Sequence, residues 1–269
     1  AATADLKDVN MIDPFHLEAY NVTTVNYNRD VEVFPVVNAI FEKIFGESPY
    51  KSPTDMGVNM AGNCIVDDEV CREASRQEII RRYYQTKCDV KKGMADADTL
   101  HKQELLMNQA KVTEADRAVV GPAMEVAEAT GAPAAAIELP DGRIVTGKTS
   151  SLLGASSAAL LNALKALAGI PDPMHLISPV VIEPIQKLKI EGLHNHNPRL
   201  HTDEVLIALS ICAATNPVAE LALNQLGALK NCEVHSTVIL SQVDVLTFKK
   251  LGMNLTCEAV YQTKKLYHK

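Results

Sequence analysis

The sequence predicts an α/β protein with a helical middle segment and a C-terminal layered α/β domain. Three observations carry this. Residues 67–131 keep a helical spacing of apolar positions throughout. Beyond Pro133 short β-branched runs alternate with helical stretches. The tripeptide Pro140-Asp141-Gly142 separates two such runs with the residues a tight turn requires. Three regions follow. Residues 1–62 form an α/β segment completing a domain begun elsewhere, 63–131 form a helical insertion or bundle, and 132–269 form an α/β domain.

In the first region, 22–25 and 31–33 are β-branched and read as strands. Val36, Val37, Ile40, Phe41 and Ile44 then recur at helical spacing until Gly46 stops them. Residues 52–62, with two glycines, small hydroxyls and the polar pair Asp55 and Asn59, have the composition of either a binding loop or a connector. In the middle region Asp67 and Asp68 cap one helix, which breaks around 89–93. A second helix passes through Leu100 and Leu105. Thr113 caps a third, which Gly121-Pro122 interrupts or kinks. Arg76 and Arg82 stand three or four residues from Glu73 and Glu78, a solvated, salt-bridged face. In the last region 134–139 and 143–146 are strands, and 150–169 is a long Ala- and Leu-rich helix ended by Gly169. Residues 178–190, 202–215 and 217–229 are further helices. Strands at 234–241 and 255–261 flank a helix at 244–251 as a strand–helix–strand crossover.

Composition restricts function more than it assigns it. With 47% hydrophobic residues but only 4% aromatic and no Trp, the core rests on aliphatic side chains. A net charge of -7 argues against a broad nucleic-acid footprint, yet leaves room for one small anion held at a helix start. No apolar run is long enough to span a bilayer. The six cysteines are scattered without a C-x-x-C pair, as in reduced thiols, and the expected location is cytoplasmic. Cys212 falls within an apolar helical pattern and reads as core. The first residue is Ala, so a fragment of a longer protein is expected.

Two motifs carry chemistry. The octapeptide 142–149 satisfies G-x-x-x-x-G-K-[ST], in which backbone N–H groups, a lysine and a hydroxyl hold phosphate and Mg²⁺. Its variable positions include the stiff Ile144, Val145 and Thr146, which suit the outgoing strand of a hairpin better than a phosphate cradle. Gly147, Lys148, Thr149, Ser150 and Ser151, read as the head of the long helix, remain an anion site; the plain alternative is an N-cap at Thr149 or Ser150. The second motif joins His194, His196, Arg199 and His201, followed by Asp203 and Glu204. Side chains two apart share one side of an extended segment, so His194 and His196 with His201, and Asp203 or Glu204 to complete the shell, are candidate ligands for a divalent metal such as Zn²⁺, Fe or Mn²⁺. The same residues suit a substrate-contacting or plain surface loop.

Several stretches resemble an uncharacterised bacterial family of longer cytoplasmic proteins, grouped as a domain of unknown function. These are Asp8-Val9-Asn10-Met11-Ile12-Asp13-Pro14-Phe15-His16-Leu17-Glu18-Ala19-Tyr20, 52–62, 197–213 and 255–269. The resemblance covers nearly the whole chain. It implies that longer members carry an upstream Gly-rich, lysine-containing segment like a phosphate loop, and that this chain is their C-terminal part. It assigns no catalytic residues. The leading expectation is an enzyme, or part of one, that handles a small anionic, phosphate-containing ligand. Gly147 to Ser151 would bind it, with Asp55 and Asn59 lining the site, while His194, His196, His201 and Arg199 supply acid–base or metal chemistry. The alternative is a non-catalytic regulatory module that forms homo-oligomers through Ala-rich helices such as 158–168. Neither reading calls for nucleic acid or membrane.

Overall fold

The structure, a computed structural model, describes residues 27–49 and 68–262. The expected strand at 22–25 and the loop 52–62, with Asp55 and Asn59, lie outside the described residues. The chain divides into two compact units, 1–116 and 117–269.

The first unit is helical where it is described. Helix α1 spans Tyr27–Phe45. It absorbs the strand expected at 31–33, because three residues of β character cannot compete with an apolar repeat that continues through Ile44 in a helical period. Helix α2 spans Asp68–Lys92 and ends at Gly93, whose φ of 74° is left-handed. Its Ile80, Tyr84 and Cys88, four residues apart, are buried. They form the inward stripe of a helix that packs along α3, Ala97–Ala110, which buries Leu106 and Met107. Asp96 caps α3 by accepting the Thr99 N–H at 2.8 Å. The expected Glu73–Arg76 and Glu78–Arg82 pairs both form, at 4.0 and 3.3 Å. Thr113 does not open a helix of its own. Its N–H and hydroxyl donate to Asp116 across a single 3₁₀ turn, Glu114–Asp116.

The second unit is a mixed four-stranded sheet with helices on both faces. Helix α4, Val120–Thr130, contains Gly121 and Pro122 in its first turn, where a proline has no intrahelical N–H bond to lose; it starts the helix instead of kinking it. Strands β1, Ala134–Glu138, and β2, Ile144–Lys148, form the expected hairpin. Gly142, with φ 80°, donates to the Leu139 carbonyl at 2.9 Å, and Leu139 donates to Arg143 at 2.8 Å. Helix α5, Ala155–Leu167, begins five residues later than the sequence suggests. Helix α6, Pro179–Lys187, passes into a π turn over Leu188–Gly192. Helix α7 covers Thr202–Ala213 and α8 Pro217–Leu223, the latter followed by a separate 3₁₀ turn, Leu226–Leu229, and not by one continuous helix. Strand β3, Glu233–Ser236, helix α9, Gln242–Lys250, and strand β4, Asn254–Cys257, make the expected crossover, since β3 and β4 are parallel.

The strand order is β2-β1-β3-β4. Because β1 is antiparallel to both neighbours, β2, β3 and β4 all run the same way. Their carboxyl ends, Lys148, Ser236 and Cys257, therefore lie on one edge of the sheet. In α/β sheets that edge is where ligands bind.

Packing on one face explains Gly147. A Cβ there would stand 2.1 Å from the Ala159 nitrogen, so only glycine lets α5 lie directly on β2. Ala159, Leu160, Ala163 and Leu164 of α5 join Ala135, Ile137 and Val234 of the sheet in the main core. Ala155, Ala159 and Ala163 of the Ala-rich helix are thus taken up inside this unit, while Ala158 and Ala166 stay partly exposed. On the other face Val119 and Ala123 pack on Ala136. There the fully buried Arg117 guanidinium bonds Thr256 Oγ1 at 2.8 Å, the Asn254 carbonyl at 2.7 Å and the Glu233 carboxylate, tying β3 to β4.

Candidate functional site

The loop after β2 does not head a helix. Thr149 N–H donates to the Pro133 carbonyl at 2.8 Å, and Ser150 N–H donates to Leu153 at 3.0 Å. The Ser150 hydroxyl oxygen accepts from the Leu152 and Leu153 N–H groups at 3.2 and 3.1 Å. The Thr149 bond extends the pairing with the start of β1, the Ser150 bonds close the loop on itself, and α5 starts only after Gly154. Side chains alternate along a strand, so with Gly147 against α5, Lys148 points to the opposite face and is exposed. The residues expected at 147–151 to hold an anion at a helix start do not head α5: the Thr149 and Ser150 N–H groups are engaged, and Lys148 faces away from α5. The strand from Ile144 to Lys148 is paired with β1 along its length and cannot wrap a phosphate.

Thr149 returns to the α5 side, where its hydroxyl oxygen is buried without a hydrogen-bond partner. Replacing it by the isosteric valine removes that unsatisfied group. Thr149→Val is expected to leave stability unchanged or raise it by up to about 1 kcal/mol in chemical denaturation. A helix-capping threonine would instead cost about 1 kcal/mol.

The His-rich stretch meets this loop from the other side. Leu153 and Leu200 form a parallel bridge, and Gly154 N–H and the Ser157 hydroxyl both donate to the Leu200 carbonyl, at 3.4 and 2.9 Å. The starts of α5 and α7 are therefore side by side. Arg199 Nε donates to the Ser150 carbonyl at 2.6 Å, and Gln186 Nε2 donates to the Ser151 carbonyl at 3.0 Å. Two segments singled out independently in the sequence, Ser150-Ser151 and Arg199-His201, are brought together.

The histidines themselves separate. His194 and His196 are exposed, and His194 has a left-handed φ of 56°, so the two are not successive same-side residues of an extended strand. Glu204 accepts His201 N–H at 2.8 Å and Lys189 Nζ at 2.6 Å, and Asp203 accepts Glu204 N–H at 2.8 Å. The carboxylates expected to complete a metal shell instead cap α7. Among the described residues no three His, Cys, Asp or Glu side chains converge as a metal site would require.

His201 is different. It is the residue before α7, and its Nδ1 lies 3.0 Å from Asp244 Oδ2 in the first turn of α9. Asp244 is almost fully buried. Its other oxygen accepts the Thr202 N–H at 2.9 Å and the Thr202 hydroxyl at 3.0 Å. Ser241, the cap of α9, donates its hydroxyl to Asp244 at 2.7 Å. The carboxylate is thus held ionised by four donors, with His201 as one of them. Burial alone would push Asp244 up, but the hydrogen bond and charge of His201, together with Thr202 and Ser241, hold it below the usual aspartate range. The Asp244 hydrogen bond in turn raises His201, against burial and the Lys189 charge. Nδ1 is committed to a carboxylate, and the side chain keeps 27% of its exposure.

The starts of α5, α7 and α9 therefore converge at the carboxyl edge of the sheet. The sequence marks His201 and Arg199 there, but not Asp244, Ser241, Lys189 or Gln186. Ser241 and Asp244 do carry the S-x-x-D spacing of a helix cap. Nothing in the spacing links Asp244 to a histidine 43 residues earlier. Two of the described thiols are taken up elsewhere: Cys212 packs against the core, and burial beside Glu233 and Glu138 pushes the Cys232 thiol up to about 11.

Comparison with known proteins extends this picture. Residues 1–111 match the domain of unknown function DUF1846, N-terminal, and residues 115–267 match the domain of unknown function DUF1846, C-terminal. A UPF0371 protein of Streptococcus pyogenes strain Manfredo is 57% identical over all 269 residues, and one of Corynebacterium urealyticum is 55% identical. In both cases the chain spans 54% of the relative's length.

Proposed function

Given that this chain belongs to the DUF1846 family of bacterial proteins, we propose that it is part of an enzyme acting on a small anionic substrate, with His201 as the general acid–base group. The observation that carries the reading is the His201–Asp244 pair, 3.0 Å apart, at the carboxyl edge of three co-directional strands. A carboxylate on Nδ1 fixes the imidazole's tautomer and orientation and stabilises the imidazolium formed when Nε2 takes a proton. The first turn of α5 carries no acidic residue, so its positive end favours an anionic substrate. Ala155, Ala159 and Ala163 of α5 are already within the core, which leaves oligomerisation through this helix the weaker reading.

A histidine-resolved NMR titration of the complete natural protein tests it. His201 is expected to titrate above its ordinary value of 6.5, and Asp244→Asn is expected to return it to that value or below. Stability follows the same linkage. The raised His201 stabilises fully below pH 6.5, and its contribution fades as pH rises through the folded pKa. The depressed Asp244 stabilises above 3.8, and its contribution fades as pH falls through its own folded pKa. The pair therefore contributes most between these two values. A His201 that titrates below 6.5 in the wild type would sink the acid–base assignment.

A further inference from the structure

Arginines in the second unit number three, and they are not equivalent. Arg117 is paired with Glu233 and Arg143 with Asp141. Arg199 has no carboxylate partner among the described residues. It is nevertheless not loose. Nε is fixed on the Ser150 carbonyl at 2.6 Å, the Arg199 backbone N–H donates to Asn197 Oδ1 at 3.2 Å, and the Arg199 carbonyl accepts the buried Lys189 Nζ at 2.7 Å. Lys189 also closes the loop from within, because its carbonyl accepts the Asn195 N–H at 2.8 Å. The Ser150 loop is braced from its other side by Gln186. A guanidinium held by Nε alone presents its two outer nitrogens as a planar fork that matches two oxygens of one anion.

We infer that Arg199 is the residue that binds the anionic group of the substrate, through a two-point contact from its outer nitrogens to a phosphate or carboxylate. This deepens the acid–base reading and rests on it for the reacting group, since His201 lies two residues further along the same segment. The arginine is neutralised by no side chain because its counterion is the ligand. Its anchor on a backbone carbonyl limits the rotamer freedom that binding would otherwise have to remove. The substrate class is then a small molecule with one terminal oxyanion, held at one end and exposed to proton transfer near that end.

The test titrates inorganic phosphate and, separately, acetate into the complete natural protein, following the His201 ring signals by NMR. Saturable binding that shifts His201 is expected for at least one of the two. Tighter phosphate binding assigns a phosphate ester, and tighter acetate binding a carboxylate. Arg199→Gln is expected to weaken the preferred anion roughly ten- to a hundredfold, the scale of a charge-assisted bond. Arg199→Lys keeps the charge but not the fork and is expected to fall between the two. If Arg199→Gln does not fold, the lysine variant decides alone: wild-type affinity there overturns the inference. Unchanged affinity in Arg199→Gln overturns it as well, as does saturation that leaves His201 unmoved. The acid–base reading fails separately, when His201 titrates below its ordinary value while anion binding still depends on Arg199.

Discussion

Replacing Gly147 by valine is expected to prevent stable folding of the second unit, or to cost it about 3 kcal/mol or more, at the upper end for overpacked sites. Even a single Cβ would meet the Ala159 nitrogen at 2.1 Å, the Ala158 carbonyl carbon at 2.6 Å and the Ala159 Cα at 2.7 Å. All three are helix backbone, so no side-chain rotation relieves the clash. Helix α5 would have to lift from the sheet, exposing Ala159, Leu160, Ala163 and Leu164, each fully buried. Gly142 supplies the comparison. A methyl group there would meet nothing within 4 Å, but the backbone φ is 80°, so Gly142→Ala is expected to cost only the left-handed strain, about 1 kcal/mol. Chemical denaturation of both variants separates the two roles. A Gly147→Val protein with wild-type stability and only a ligand-binding defect would overturn the packing role and revive the phosphate loop.

Asp244→Ala should be nearly as damaging, through polarity in place of volume. The carboxylate joins the first turn of α9 to the first turn of α7 by way of His201 Nδ1 and the Thr202 N–H and hydroxyl. Its removal leaves buried donors with no acceptor and His201 without its counter-charge. Breaking one side of a buried charged network costs about 3–5 kcal/mol. Asp244→Asn retains the shape and part of the bonding, so it should lose less stability while removing the upward shift of His201. Measured together, stability and the His201 titration distinguish a carboxylate that merely ties two helices from one that also sets the imidazole. If Asp244→Asn leaves the His201 titration in place, the pair is a structural tie only.

Much of the second unit can be read locally. The hairpin is legible because Pro140-Asp141-Gly142 dictates a turn and Ile144 to Thr146 can only be extended. The β3–α9–β4 crossover is legible for the same reason, from short β-branched runs around a helical repeat. The failures have equally specific causes. The run at 31–33 is β-like in composition but belongs to a helix whose repeat continues on its C-terminal side. Helix α5 starts late because Ser150 folds the chain into a turn, accepting the N–H groups of Leu152 and Leu153, before a helix can begin. His194 and His196 look like a pair only if the backbone there is extended, and a left-handed φ at His194 breaks the alternation.

The candidate site divides along the same line. Arg199 and His201 stand out as residue types in a short stretch, and Gly147-Lys148-Thr149-Ser150 as a pattern. Fold class, family and the stretches of chain where chemistry is to be sought are therefore all readable from residue order. Which of these residues act together is a matter of packing. Packing sends Lys148 to the far face of the sheet, gives Gly147 a structural role, joins Arg199 to Ser150, and supplies His201 with Asp244. The physical reason is that turns, helix periods and strand alternation are properties of neighbours in sequence. A hydrogen bond between residues 43 apart exists only once the starts of two helices have been packed against the same edge of a sheet.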